Sequence, residues 1–276
     1  MPESSSAKHG ARKTESEIER LLSRLPEELL RVNARKVAAW KKPAGAIRRL
    51  LKQDYVRCLR RHLSYAEVRT LVSEFERIFP RFNSRSVAMM SIRNFSAIAA
   101  KLDFHLQAVP YGGPDGLALR GFYVTRADGI LKRPLVFVNT AHHPLAVTTS
   151  FVHELAHHVT SQVLNLPAES VHFFFDADYS THLAEPGELA ADVMVSLAGY
   201  SAETARRIFP SSWNWGLVAR TENLTETAFE KVRIHLRKVY GFDLMARIPP
   251  AERLNRLVGM IHYAKLRWAL LAEYDL

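Results

Sequence analysis

Residues 151–159 read Phe-Val-His-Glu-Leu-Ala-His-His-Val, and within them His153, Glu154 and His157 form an H-E-x-x-H motif. Residues four apart on a helix project from the same face, so two imidazoles can share one metal ion. The glutamate beside the first histidine can reach a metal-bound water and take its proton. Zinc would lower the pKa of that water towards neutrality and polarise a peptide carbonyl at the same time. Phe151, Val152, Leu155 and Val159 give the surrounding stretch a helical apolar period, and a helix is expected over about 145–165. Histidines and a glutamate buried in such a helix without partners would be costly, which favours a shared ion.

The third ligand sets the class. An extended motif would need glycine at 160 and histidine at 163, but these are Thr160 and Val163. His158 lies about 100° around the helix from His157 and should not reach the same ion. A glutamate on a later helix is the other common solution, and Glu185-Pro-Gly-Glu188-Leu-Ala-Ala-Asp192 supplies one. Glu188 and Asp192 share a helix face, so Glu188 can bind the metal while Asp192 accepts the N–H of a ligand histidine and fixes its tautomer. Glu185, one turn earlier, is the competing ligand. Acidic residues at a helix start also favour its dipole without any metal. His172, Tyr179, His182 and Tyr200 are candidates to bind substrate or polarise its carbonyl, and spacing does not choose among them.

Working outward, the period changes before the motif. Phe104, Leu106 and Ala108 alternate with polar residues, and two further strand-like runs cover 121–125 and Leu135–Asn139, with Asp128-Gly129 in the turn between them. A small, largely antiparallel sheet is expected, with Leu135–Asn139 as the edge able to bind an extended peptide by β-addition. From Pro144 onward only helices are expected: about 145–165, 187–199, 202–209, 225–240 and 250–273. Strands packed between helical segments indicate an α+β domain.

The N-terminal part reads differently. Residues 1–16 are polar, Ser-rich and without periodicity, and are expected to be a disordered lead-in. Residues 17–80 read as a basic helical segment, and 81–276 as a peptidase-type domain with a helical C-terminal extension. Helices are expected at 17–22 and from Pro26 towards Trp40, with Pro43 and Gly45 breaking the pattern. From Ile47, the residues Leu50, Leu51, Tyr55, Cys58 and Leu59 fall at helical spacing, with Arg48, Arg49, Lys52, Arg60 and Arg61 mostly on the other side. Ser64 with Glu67 forms a capping box, and the helix it opens ends at Pro80. A short helix follows over about 94–102.

The net charge is +10, and residues 1–62 carry sixteen Lys/Arg against seven Asp/Glu, so nearly all of the positive field lies there. A solvated helix face or contact with DNA or an acidic partner through residues 17–62 both fit this charge. The single cysteine, Cys58, rules out an internal disulfide framework and reads as a core residue in a reducing compartment. The first residues have no signal-peptide core, and no run reaches the eighteen or so apolar residues of a membrane span. A cytoplasmic protein without membrane association is expected.

With these residues in place, the chain resembles the ImmA/IrrE family of metallopeptidases over about residues 95–200. The resemblance runs through FSAIAAKLDFHL, RGFYV, LVFVN, FVHELAHHV and EPGELAADVMVSL. The last looks like the family's E-x-E-A-(N/D)-x-F-A-A-x-L-L helix, with Glu188 on its second glutamate, the first glutamate displaced to Glu185 and the expected aromatic missing. The resemblance implies a gluzincin-like, zincin-type fold with one Zn2+ per chain. It also implies a regulatory protease that cuts a protein partner such as a helix-turn-helix repressor. Glu154 would take the proton from the attacking water and deliver it to the leaving amine. The rivals are a DNA-binding regulator with a structural or degenerate zinc site, and a toxin–antitoxin or mobile-element component of the same fold.

Overall fold

The computed structural model describes residues 43–80, 90–111, 119–125, 133–164, 171–175, 179–208 and 250–276, with isolated positions between them. The lead-in, the helices expected at 17–22 and 26–40, the Asp128-Gly129 turn and most of the helix expected over 225–240 lie outside these residues.

Three helices come first: α1 (Pro43–Lys52), α2 (Tyr55–His62) and α3 (Tyr65–Ile78). Pro43 opens α1 instead of breaking a helix, because proline suits a first helical position where its missing N–H costs nothing. The helical spacing from Ile47 to Leu59 is divided at Asp54, whose carboxylate accepts from Arg57 N at 3.0 Å and caps α2. Ser64 and Glu67 form the expected box at the start of α3. Ala46, Ile47, Leu50, Leu51, Tyr55 and Leu59 are buried. Arg48, Arg49, Lys52, Arg57, Arg60 and Arg61 are exposed, as the spacing predicts. Cys58 is half-buried.

Next, α4 (Ile92–Leu102) begins in a Ser91/Asn94 box and ends at Asp103, whose φ of 57° turns the chain into β1 (His105–Val109). With β2 (Leu119–Val124), β3 (Leu135–Asn139) and β4 (Val171–Phe175) it makes a four-stranded sheet in the order β1-β3-β2-β4. The sheet is mixed: β2 pairs antiparallel with β3 and β4, but β1 runs parallel to β3. Alternation reports burial, not strand direction, so the sequence left the parallel pair unseen. Two further expectations fail here. Leu135–Asn139 is an inner strand, and the outer strands are β1 and β4. The strand β4 also lies where only helices were expected.

Between β2 and β4 the register slips at Leu119/Gly121, placing an extra residue, Arg120, in β2. A bulge of this kind re-aims side chains. Arg120 turns towards the motif helix α5 (Pro144–Val163), donating to Ser150 Oγ at 3.1 Å and Ala146 O at 2.7 Å.

After β4 come α6 (Tyr179–His182), α7 (Pro186–Gly199), α8 (Ala202–Ile208) and α9 (Pro250–Tyr274). One apolar core joins them to the N-terminal helices, including Leu50, Leu59, Leu71, Phe95, Phe151, Leu189, Met194 and Leu266. Phe95 of α4 stacks on Phe151 of α5 with centroids 4.1 Å apart. Buried Lys265 of α9 donates to Leu50 O, Leu51 O and Gln53 O at 2.9, 2.9 and 2.7 Å, so a side chain from α9 caps α1. Burial pushes the Lys265 ammonium down to about 7. No helix among the described residues is long and apolar enough to cross a membrane.

Candidate metal centre

Helices α5 and α7 pack side by side, and the charged residues of both converge at the contact. His153 and His157, one turn apart on α5, hold their Nε2 atoms 3.1 Å from each other. Glu188, in the first turn of α7, places Oε2 3.2 Å from His153 Nε2 and 3.6 Å from His157 Nε2. Ligand atoms bound at about 2.0–2.1 Å around a tetrahedral ion lie about 3.3–3.4 Å apart. The three edges found, 3.1, 3.2 and 3.6 Å, lie within 0.3 Å of those of one tetrahedral face, and all three side chains are buried. The trio can hold a metal ion. Glu185 is exposed at the N-cap of α7 and belongs to neither of the metal-capable groups among the described residues.

Asp192, one turn after Glu188, is the hub behind this triangle. Its Oδ1 lies 3.1 Å from His153 Nδ1, and its Oδ2 accepts from His182 Nδ1 and His262 Nε2, both at 2.9 Å. Burial alone would raise the Asp192 carboxyl, but the surrounding histidines hold it well below the ordinary range. His153 responds in the opposite sense. Burial disfavours its charge, yet its bonds to Asp192 and Glu188 outweigh that and raise it to about 10. His157 has the weaker carboxylate contact, and burial keeps it below its usual value. Asp192 Oδ1 therefore lies beside Nδ1 of His153, and Nε2 of the same ring faces His157 and Glu188. His153, His182 and Asp192 form a second group of metal-capable atoms.

Glu154 is fully buried, and its place depends on β2. A Cβ on Gly121 would lie 2.8 Å from Phe137 O, closer than side chains tolerate, and 3.0 Å from Glu154 Oε1, so tight that the carboxylate would have to shift. The bulge at Arg120 and the bare glycine beside it together make room for the carboxylate.

The remaining candidates separate. His182 lies against the centre, with Nδ1 bonded to Asp192 and 3.5 Å from Glu188 Oε2. Tyr179 is buried next to it and stacks on His262 with centroids 4.5 Å apart. Tyr200 donates its hydroxyl to Met260 O at 3.0 Å, which ties α7 to α9 and withdraws it from the centre. His172 sits on β4, opposite Tyr123 in register. His158 points away, as its angle on the helix requires, and meets Leu102 O through Nε2 at 3.0 Å.

Sequence reasoning missed His262 and Tyr55. His262 is fully buried on α9, and its Nδ1 accepts from Tyr55 Oη at 2.9 Å while Nε2–H serves Asp192. Hydrogen bonds thus run from α2 through α9 to Asp192, whose other oxygen lies 3.1 Å from His153 Nδ1. The one available signal was a histidine among Leu257, Val258, Ile261 and Ala264, where an apolar residue would be expected.

Comparison with protein-family models, with curated proteins and with solved structures finds no match to this chain.

Proposed function

We propose that the chain is a zinc-dependent endopeptidase of the H-E-x-x-H plus glutamate type, with a zincin-like fold. The observation that carries this is the buried triangle of His153, His157 and Glu188, with Glu154 adjacent to its first corner. Two imidazoles and a carboxylate are a donor set typical of hydrolytic zinc sites, whereas structural sites are usually closed by four protein ligands rich in cysteine. Zinc bound by these three residues would supply Lewis acidity to a water molecule and to the scissile carbonyl. Glu154 takes the proton of the attacking water and passes it to the leaving amine. Asp192 holds His153 in the required tautomer, and His182, oriented by the same carboxylate, is the candidate to steady the carbonyl oxygen. A substrate strand would add to the outer strand β4, which borders β2 and the motif helix.

The resemblance to ImmA/IrrE peptidases favours limited cleavage of one protein partner, such as a helix-turn-helix repressor, in the cytoplasm. Incubating zinc-loaded protein with a library of unfolded polypeptides, and reading the fragments by mass spectrometry, tests the activity. Cuts made by the native chain and absent with Glu154→Gln support it; fragments identical for both proteins refute it.

A second role rests on the exposed basic face of α1 and α2, which suits DNA or an acidic partner. Replacing Arg48, Arg49 and Lys52 by serine should then weaken duplex binding and flatten its salt dependence. Equal binding by the two proteins would leave these residues as solvated surface.

A further inference from the structure

Tyr55 of α2 is 2 % exposed, and its hydroxyl has one hydrogen-bond partner among the described residues, His262 Nδ1 at 2.9 Å. The other ring nitrogen of His262 meets Asp192 Oδ2, also at 2.9 Å. A carboxylate only accepts, so the hydrogen of this second contact lies on Nε2. Nδ1 must then be bare if the Tyr55 hydrogen is to have an acceptor. The tyrosine thus selects one tautomer of the imidazole, since the bond made by one ring nitrogen decides the state of the other. The plane of the ring is held as well, stacked on Tyr179 with an interplanar angle of 19°.

The tautomer matters to Asp192. The terminal torsion of an aspartate is soft, so its partners must fix its orientation. His262 and His182 both donate to Oδ2, which leaves Oδ1 as the oxygen beside His153 Nδ1, 3.1 Å away. With its hydrogen on Nδ1 instead, His262 would turn a lone pair towards the carboxylate and push Oδ2 away. The orientation of a ligand imidazole follows that of the carboxylate behind it, so this loss would reach His153.

We propose that Tyr55 and His262 are positioning residues of the metal centre: the tautomer that the Tyr55 hydroxyl imposes on His262 holds Asp192, and through it His153, in the arrangement that binds the ion. This rests on the reading of His153, His157 and Glu188 as metal ligands. Both positioning residues lie outside the 95–200 stretch that carries the peptidase resemblance. The N-terminal helix α2 is thereby a working part of the site, not an appendage to it.

Zinc affinity of the full chain, read by competition with a chromogenic chelator, tests it. Tyr55→Phe keeps the ring, removes only the oxygen, and should weaken zinc by about two- to ten-fold, the worth of one net hydrogen bond. His262→Asn keeps a polar group near Tyr55 but none that reaches Asp192, and should weaken zinc by about 10–100-fold. His262→Gln carries an amide N–H out to the place of Nε2, and should bind zinc more tightly than His262→Asn. A role in packing alone would not order these two in that way. Melting curves without metal show which variants are folded. Proton–nitrogen NMR spectra of the metal-free native chain read the tautomer with no substitution at all, and His262 should carry its hydrogen on Nε2. A hydrogen on Nδ1 in its place, native zinc affinity in folded Tyr55→Phe, or His262→Gln no better than folded His262→Asn would overturn the proposal. If His262→Asn is unfolded, Tyr55→Phe and the tautomer decide. A native chain that binds no zinc would remove the metal centre and the proposal together. The expected order of affinities without any peptide cleavage would support the proposal and refute the peptidase reading alone.

Discussion

Gly121 on β2 and Glu154 on α5 occupy each other's space: a Cβ on the glycine would come within 3.0 Å of the carboxylate oxygen. Glu154 is thus given its room by a missing side chain on the neighbouring strand. Gly121→Val should displace Glu154 and lower peptide cleavage by roughly the 10²–10⁴-fold expected for a lost proton acceptor. Zinc content should stay near one per chain, because no ligand is touched. Cleavage at the native rate by a folded Gly121→Val protein would show that Glu154 is not held there.

Glu188→Ala should lose most of the metal on dialysis, and Glu185→Ala should keep it, since only Glu188 reaches both histidines. His153→Ala and His157→Ala should behave like Glu188→Ala. Elemental analysis of the purified variants decides the order, and full metal in Glu188→Ala would break the triangle.

Asp192→Asn should weaken metal binding or activity by about 10–100-fold while leaving all three ligands in place. Competition with a chromogenic chelator measures this directly. An affinity equal to that of the native protein would mean that His153 keeps its orientation without the hub.

His153 gives a pH signature. Its folded pKa of about 10 lies above the unfolded value near 6.5, so in the metal-free protein its stabilisation is fully present below about pH 6.5. That contribution fades as pH rises through the folded pKa. Metal binding must expel the proton, so at pH 7.5 uptake should release about one proton per ion. The zinc-induced rise in melting temperature should grow from pH 6.5 to 9. Calorimetry in two buffers of different ionisation enthalpy reads the proton, and zero release would contradict the assignment.

Lys265→Met should lower stability by roughly 1–3 kcal/mol or more, because three carbonyls near the end of α1 lose their donor in a buried setting. Deleting residues 1–62 should be more damaging, since Leu50, Leu51, Tyr55 and Leu59 belong to the core that holds α7 and α9. Urea unfolding of the point variant and the circular dichroism of the truncated chain check both statements. A cooperative, native-like melt from the truncated chain would contradict the second.

The residues of the centre that share a helix were legible. Four-residue spacing predicts which side chains face together, so His153 with His157 and Glu188 with Asp192 could be read directly, and the helices expected at 94–102, 145–165, 187–199, 202–209 and 250–273 lie within about two residues of those found, whereas the break at Asp54 and the short α6 were not foreseen. What local spacing cannot reach is contact between distant segments. His262 lies seventy positions beyond Asp192 in the chain, and nothing in α9 announces that one carboxylate will meet it. The bulge at Arg120 was equally hidden, because it is a property of the pairing between β2 and β4 and not of either strand. The parallel β1–β3 pair was missed for the same reason. Tyr55 was placed correctly on an apolar face, but its hydroxyl bond depends on α9 packing against α2.

The hydrogen-bond chain from Tyr55 through His262 to Asp192 also sets a clock on the ribosome. Residues 153, 157, 188 and 192 emerge well before residue 262, so a chain stopped before α9 has the triangle and its hub Asp192 but not the side chain that helps hold that hub. The capping of α1 by Lys265 has the same order, with the three acceptors made more than two hundred positions before the donor. Domains fold as units once their parts are available, and here α9 is the latest of the described parts that fasten the fold. A product stalled before α9 would thus lack both fastenings, and the clustered carboxylates and histidines would reach their final arrangement only once residues 262 and 265 have been made.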